Sequence, residues 1–225
     1  NQRYKKGYIP FNMPDLEVIF DDKGKVVGLK RNKETESHQL IENCMLMANE
    51  FIAKQLSKHK SEGMYRIHEE PDEEVFNKML ELLHYYRLSP KKSPTKQKTI
   101  QTLLKSMPNN DYHRVFDYLI LRSMKKARYD TRPLGHFGLA MKNYTHFTSP
   151  IRRICDLTVH LLLKSYLRKE TNDPFDSSSL NDIAVSGSER EILADSAEKE
   201  AERLYKRLYL QDKIGETYEG IIVNF

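Results

Sequence analysis

Between Ser37 and His59 the apolar positions Leu40, Ile41, Cys44, Met47, Ala48, Phe51, Ile52 and Leu56 recur at helical steps. That spacing predicts the strongest helix of the chain, with the apolar line turned to a core. Upstream, the apolar runs Leu16 to Phe20 and Val26 to Leu29 flank Asp21-Asp22-Lys23-Gly24-Lys25 and predict a β-hairpin. Met64 to His68 alternates like a strand and enters a loop at Glu69-Glu70-Pro71. From Asp72 to Leu88 the period is helical again, with Asp72 as candidate cap and Val75, Phe76, Met79, Leu80 and Leu83 facing the core.

Shorter helices are predicted from about Thr95 to Met107, stopping before Pro108, and from Asp111 to Ala127. A further helix is predicted over Ser149 to Leu167, with Ser149 as cap and Pro150 in the first helical position. Its apolar face runs Ile151, Ile154, Leu157, Val159, Leu161, Leu162. Glu170 to Ser179 contains Pro174 and a serine run and reads as a surface connection. Ser188 to Leu210 predicts a long helix with Ile192, Leu193, Ala197, Ala201, Leu204 and Leu208 as its buried line. The last stretch, Gly215 to Val223, has a strand pattern. The fold class is therefore α+β, predominantly helical, with a minority of strands at both ends.

At 225 residues, 39% hydrophobic and 31% charged, the chain is long enough for one domain with its own core. It has no apolar run of the roughly 18 residues a membrane helix needs. A cytoplasmic location without membrane contact is the expectation. Cys44 and Cys155 both fall on predicted apolar faces, so buried free thiols are expected rather than a disulfide or metal pair. The net charge of +5 is unevenly spread. Lys91, Lys92, Lys96, Lys98 and Lys105 gather in one region, where a solvated surface is the preferred reading. Lys125, Lys126, Arg128, Arg132, Arg152 and Arg153 gather in another, and a basic channel for phosphates would use such groups.

The chemistry concentrates in Gly135 to His160. A Ser149-Pro150 helix start puts Arg152 and Arg153 in the first turn, where the helix dipole disfavours cations unless an anion lies between them and the backbone N–H groups. A nucleic-acid phosphate would supply that anion. The plainer alternative is that the arginine pairs with Asp156 one turn on.

Gly135-His136-Phe137-Gly138-Leu139-Ala140, Tyr144-Thr145-His146-Phe147-Thr148-Ser149-Pro150-Ile151-Arg152-Arg153 and Asp156-Leu157 together resemble the signature of the ribonuclease II / ribonuclease R (RNB) exoribonuclease family. Phe11 to Asp15, His38 to Glu50 and Met64 to Pro71 resemble further segments of it in the same order, so the likeness spans nearly the whole chain and is closer to ribonuclease R. The chain departs from the family pattern at Asn43, where a second acid is usual, at Ile154-Cys155 in place of Tyr-Pro, and at Leu161 in place of Arg.

The resemblance implies the C-terminal portion of an RNB catalytic domain over residues 1–214, and the opening strand of an OB-type RNA-binding barrel over 215–225, in a piece of a longer polypeptide. It implies processive 3′-to-5′ hydrolysis of single-stranded RNA to nucleoside 5′-monophosphates. Mg2+ would assist, held by an aspartate cluster outside this chain, so the isolated piece is expected to be inactive. Arg152 resembles the family's catalytic arginine near the scissile phosphate, where a fixed guanidinium stabilises developing charge. Glu42 matches an acid that accepts from ribose hydroxyls, its alternative being a helix-surface Glu. Phe11 matches an aromatic that stacks on a base, its alternative being core packing. Tyr144, His146, Thr148 and Ser149 are donors that could hold successive phosphates and with Arg153 complete the substrate-binding set, with Ser149 alternatively only a helix cap and His136 either a ligand or a core histidine. The competing readings are a noncatalytic RNA-binding relative, which the upstream acids would discriminate, and a helical scaffold whose basic faces bind an acidic protein.

Overall fold

In the chain's computed structural model, residues 2–11, 16–31, 35–58, 62–88, 93–107, 112–172 and 174–220 are described. The elements run α1 (Gln2–Lys6), β1 (Leu16–Phe20), β2 (Val26–Arg31), α2 (Glu36–Lys58), β3 (Tyr65–Ile67), α3 (Glu73–Tyr85), α4 (Lys96–Ser106), α5 (Tyr112–Arg122), β4 (Arg128–Asp130), α6 (Ile154–Leu167) and α7 (Ser177–Gln211). Helices dominate, and the strands form two antiparallel pairs, β1–β2 and β3–β4, as the α+β expectation has it.

The β1–β2 hairpin follows its turn chemistry. Asp21 Oδ1 accepts the N–H of Lys23 at 3.0 Å and of Lys25 at 2.7 Å, and Gly24 takes φ +77°, a conformation that costs glycine little. The hairpin docks on the far end of α7, where Phe20 meets Tyr205 edge-to-face at 5.0 Å and Lys25 pairs with Asp212 at 3.2 Å.

Among the described residues the two largest of four hydrophobic clusters organise the rest. Phe76, Met79, Leu83, Ile100, Leu103, Phe116 and Ile120 pack α3, α4 and α5 around Ile9 and Phe137. Ile52 and Leu56 of α2, Met64, Tyr129, Cys155, Val159 and Leu162 of α6, and Leu180 and Ala184 of α7 form the second. At the α6–α7 crossing Gly187 lies so close to Cys155 Sγ that a Cβ would overlap the sulfur. Gly187→Ala is therefore expected to destabilise the chain by about 1–3 kcal/mol through overpacking, a larger effect than the roughly 1 kcal/mol gained in helix propensity. Urea unfolding measures it; an unchanged or raised midpoint would show that the helices can separate without loss.

The structure corrects several expectations. On α2 the buried positions are Leu46, Asn49, Ile52, Ala53 and Leu56, while Leu40, Ile41, Met47 and Phe51 are exposed, as is Cys44. Only Cys155 is the buried thiol expected, and burial pushes it up to about 12. Helical spacing marks a stripe but not which stripe the neighbours cover, and here the signature segment contacts the Leu46 and Asn49 face. Asp72 stands at the N-cap of α3 without a capping side-chain bond, because its carboxylate pairs with Lys125 at 2.7 Å. Helix α5 ends at Arg122, and the chain then extends into β4, which pairs with β3 from far away in sequence. Helix α6 starts at Ile154, with Ser149–Arg153 forming a turn before it. Helix α7 starts at Ser177, since Asp176 accepts the Ser179 N–H at 2.7 Å and makes the serine run a capped first turn. Its buried residues are Leu180, Ala184 and Gly187, and the expected line through Ile192, Leu193, Leu204 and Leu208 is exposed. Residues 216–220 have no regular structure, and 221–225 lie outside the described residues. Among the described residues no helix is long and apolar enough to cross a membrane.

Candidate functional site

The signature segment runs between the two cores and is tied along its length. Gly135 to Phe137 lie beside the end of β3: the Phe137 N–H donates to His68 O at 2.7 Å and the His68 N–H to Gly135 O at 3.0 Å. The Arg66 N–H donates to Tyr144 O at 2.9 Å, and the Thr145 hydroxyl to Met64 O at 2.5 Å. From α2, the buried Asn49 donates through Nδ2 to the Tyr144 hydroxyl at 3.1 Å and accepts the Phe147 N–H on Oδ1 at 3.0 Å. From α6, His160 Nε2 donates to Phe147 O at 2.8 Å, its ring stacked on that of Phe147 at 4.0 Å. A segment without regular secondary structure thus has its polar backbone satisfied by partners from three elements.

Beneath it lies a file of rings. His68, His136, Tyr144, His146 and Tyr129 meet edge-to-face in succession with centroids 5.1–5.7 Å apart. Arg66 lies over Tyr129 at 4.8 Å while its guanidinium is gripped by Glu191 of α7. Burial, reinforced by the neighbouring cations and by other histidines, pushes both His136 and His146 down to about 3. His136 Nδ1 accepts the Leu139 N–H at 3.3 Å, and His146 Nδ1 shares a 2.8 Å hydrogen bond with the Tyr129 hydroxyl. Of the two rings expected to hold phosphates, Tyr144 is buried with its hydroxyl facing Asn49, and His146 is half-buried with Nδ1 on the Tyr129 hydroxyl. His136 is half-buried within the file.

The arginines divide. Arg153, at the N-cap of α6, gives Nε to Asp156 Oδ1 at 2.7 Å and an Nη to Oδ2 at 2.8 Å, and Asp156 is fully buried. The ion-pair alternative considered for Arg152 is realised by its neighbour. Arg152 itself is exposed, and its guanidinium has no hydrogen-bond or ion-pair partner among the described residues. Ser149 is not the helix cap; its N–H donates to Asp156 Oδ2 at 2.8 Å, and it stays half-buried beside Thr148. The expected basic channel contracts for the same reason. Lys125 pairs with Asp72 at 2.7 Å, Arg128 with Asp130 at 2.5 Å and the exposed Arg132 with Asp130 at 3.3 Å, while Arg152 and Lys126 are exposed with no ion pair among the described residues. In the other lysine group Lys96 turns inward to Glu73 at 2.7 Å, and Lys91 and Lys92 lie outside the described residues.

Glu42 is half-buried on α2, and helical spacing sets it on the face of Leu46 and Asn49 that meets the signature segment. Phe11 is half-buried against the first core, on a stretch whose Ile9 N–H donates to Gly138 O at 3.0 Å. The rest of its motif, residues 12–15, lies outside the described residues. Asn49 is absent from the sequence-derived site, and Asp156 enters it only as the alternative partner of an arginine; a polar residue amid the helical apolar spacing of α2 was the available signal for Asn49. Among the described residues no group of three or more His, Cys, Asp or Glu side chains converges to hold a metal ion, so they do not themselves fit a magnesium centre.

An α+β scaffold presenting an arginine on a fastened loop is a class with many members, and likeness to known proteins narrows it. Residues 1–169 match the RNB domain. The chain is 37% identical to ribonuclease R of Aquifex aeolicus over 224 residues, 98% of this chain and 32% of that protein. Mycoplasma genitalium RNase R in complex with double-stranded RNA superposes with a TM-score of 0.91 at 30% identity, over 99% of this chain and 41% of that one. The same protein in complex with ribose-methylated single-stranded RNA gives 0.87 at 29% identity, over 96% and 35%. Yeast Ssd1, described as a pseudonuclease, shares the fold at a TM-score of 0.60 and 22% identity, over 68% and 20%. The chain belongs to the RNB family, a family of 3′-to-5′ exoribonucleases, and its relatives include ribonuclease R of several bacteria. It spans about a third of the length of the curated relatives it matches.

Proposed function

We propose that the protein containing this chain is a processive exoribonuclease that shortens single-stranded RNA from its 3′ end and releases nucleoside 5′-monophosphates. The observation that supports this best is the division of the arginine pair. The Arg153 guanidinium is consumed in a buried ion pair, and that of Arg152 is held outward on a fastened turn with no hydrogen-bond or ion-pair partner among the described residues. Such a group is free to meet a phosphate, and the backbone that carries it is already fixed by the fastened turn. In this reading Arg152 stabilises charge developing on the scissile phosphate, Thr148 and the Ser149 hydroxyl contact the strand beside it, Glu42 accepts from a ribose hydroxyl, and Phe11 stacks on a base. Magnesium belongs to the same proposal, with its ligands in acids outside this chain; it would activate the attacking water and neutralise the phosphate. Residues 215–225 are proposed as the opening of an OB-type barrel, and the cytoplasm as the site of action.

Incubating the whole protein with a 3′-labelled single-stranded RNA tests the activity. Stepwise release of labelled mononucleotide, abolished by EDTA, is expected. RNA that is bound but never shortened would move the assignment to a noncatalytic relative, and no binding at all would leave the scaffold reading. The isolated 225-residue chain is expected to be inert even with magnesium added; hydrolysis by it would relocate the metal site. Phe11→Ala is expected to weaken binding of a short single strand by about 1–3 kcal/mol, the contribution of one stacked base. Equal affinity in a fluorescence titration would return Phe11 to a packing role.

A further inference from the structure

The turn before α6 is closed by more bonds than its length requires. The Arg153 N–H donates to Ser149 O at 3.2 Å, and the Ser149 N–H donates to Asp156 Oδ2 at 2.8 Å. The Arg153 side chain returns to the same carboxylate through Nε and Nη2 at 2.7 and 2.8 Å. Both ends of the turn are therefore fastened to one fully buried carboxylate, and Pro150, Ile151 and Arg152 project between them. Pro150 has a fixed φ, and Ile151 is wholly exposed. Asp156 sits in the first turn of α6, where the helix dipole favours an anion, and its three charge-assisted bonds offset its desolvation.

We propose that Asp156, acting through Arg153 and the Ser149 backbone, is a positioning residue that sets the direction of the Arg152 guanidinium. Arg153 then belongs to this fastening and does not itself hold substrate. The inference rests on the activity proposed above. Its chemistry explains why two adjacent arginines are used: a planar guanidinium can satisfy a buried carboxylate with two parallel bonds, whereas a lysine offers a single point charge. The first cation completes the buried site, and the second is left free at a defined place. A misplacement of about 1 Å at the reacting end can cost on the order of a hundredfold in rate, so a fastening remote from the phosphate has kinetic consequences.

The test uses the whole protein and a single-stranded RNA, with Asp156→Asn, Arg152→Ala and the double variant, each checked for folding by circular dichroism. Asp156→Asn is expected to lower kcat by about a hundredfold with KM nearly unchanged. In the Arg152→Ala background the same change is expected to cost almost nothing, because the group it aims has gone. Equal losses in both backgrounds, or a rise confined to KM, would overturn the role. If Asp156→Asn does not fold, Arg153→Lys serves instead; it keeps the charge, loses the fork, and is expected to show the same dependence on Arg152. A wild-type protein that binds but never shortens RNA would overturn the activity and this role together. An active wild type without the coupling would overturn this role alone.

Discussion

Replacing Arg152 by alanine in the whole protein is expected to slow mononucleotide release by about a hundredfold, roughly 2.7 kcal/mol of barrier, while RNA still binds. The size follows from removing one donor aimed at charge that develops only in the transition state. The environment supports a local effect. Arg152 is exposed and unpaired among the described residues, so its loss orphans no buried partner and leaves the Asp156 fastening intact. Arg153→Ala should behave differently, because it strands a fully buried carboxylate, and a folding defect is expected to precede any kinetic one. Single-turnover rates on a 3′-labelled strand, compared with filter-binding affinities, separate the two. Unchanged turnover in Arg152→Ala would remove the catalytic assignment.

Acid is expected to destabilise the fold by about 4 kcal/mol between pH 7 and pH 5, from His136 and His146 together, at about 2 kcal/mol each. Both are held down to about 3, burial being the largest cause for each; Arg153 and Arg66 add to it at His146, and His68 and Arg66 at His136. The unfolded chain takes up protons near pH 6.5 and the folded chain does not, so stability is full above that value and falls as the pH drops through it. The hydrogen bonding agrees with the sign. His136 Nδ1 accepts the Leu139 N–H, and a protonated ring would turn a donor toward a donor. Urea midpoints at a series of pH values measure the effect. A flat profile from pH 7 to 5 would show that the ring file opens to water instead of resisting protonation. Activity should fail over the same interval as the signature segment loosens from its supports.

The local features were legible in the sequence. Asp21 to Lys25 made the expected hairpin because its turn chemistry is contained in five consecutive residues. The helix expected from about Thr95 begins there, where Thr95 accepts the Lys98 N–H at 3.3 Å. The signature segment was recognisable as a string, and the family it resembles is the one to which the chain belongs. What its residues do individually was less accessible. Tyr144 and His146 read as donors for phosphate, yet the fold turns them into a packed file, since Asn49, Tyr129 and Arg66 arrive from distant elements.

The same contrast separates the two arginines. By itself the sequence determined the helices' existence, the hairpin, the family and the presence of a cationic pair after Ser-Pro, all of which depend on neighbours within a few positions. The tertiary structure alone decided which stripe of α2 and α7 is covered, where α6 begins, and which of the paired cations is spent on Asp156. Those outcomes depend on which groups lose water together, and burial is a property of the assembled chain that no periodicity encodes.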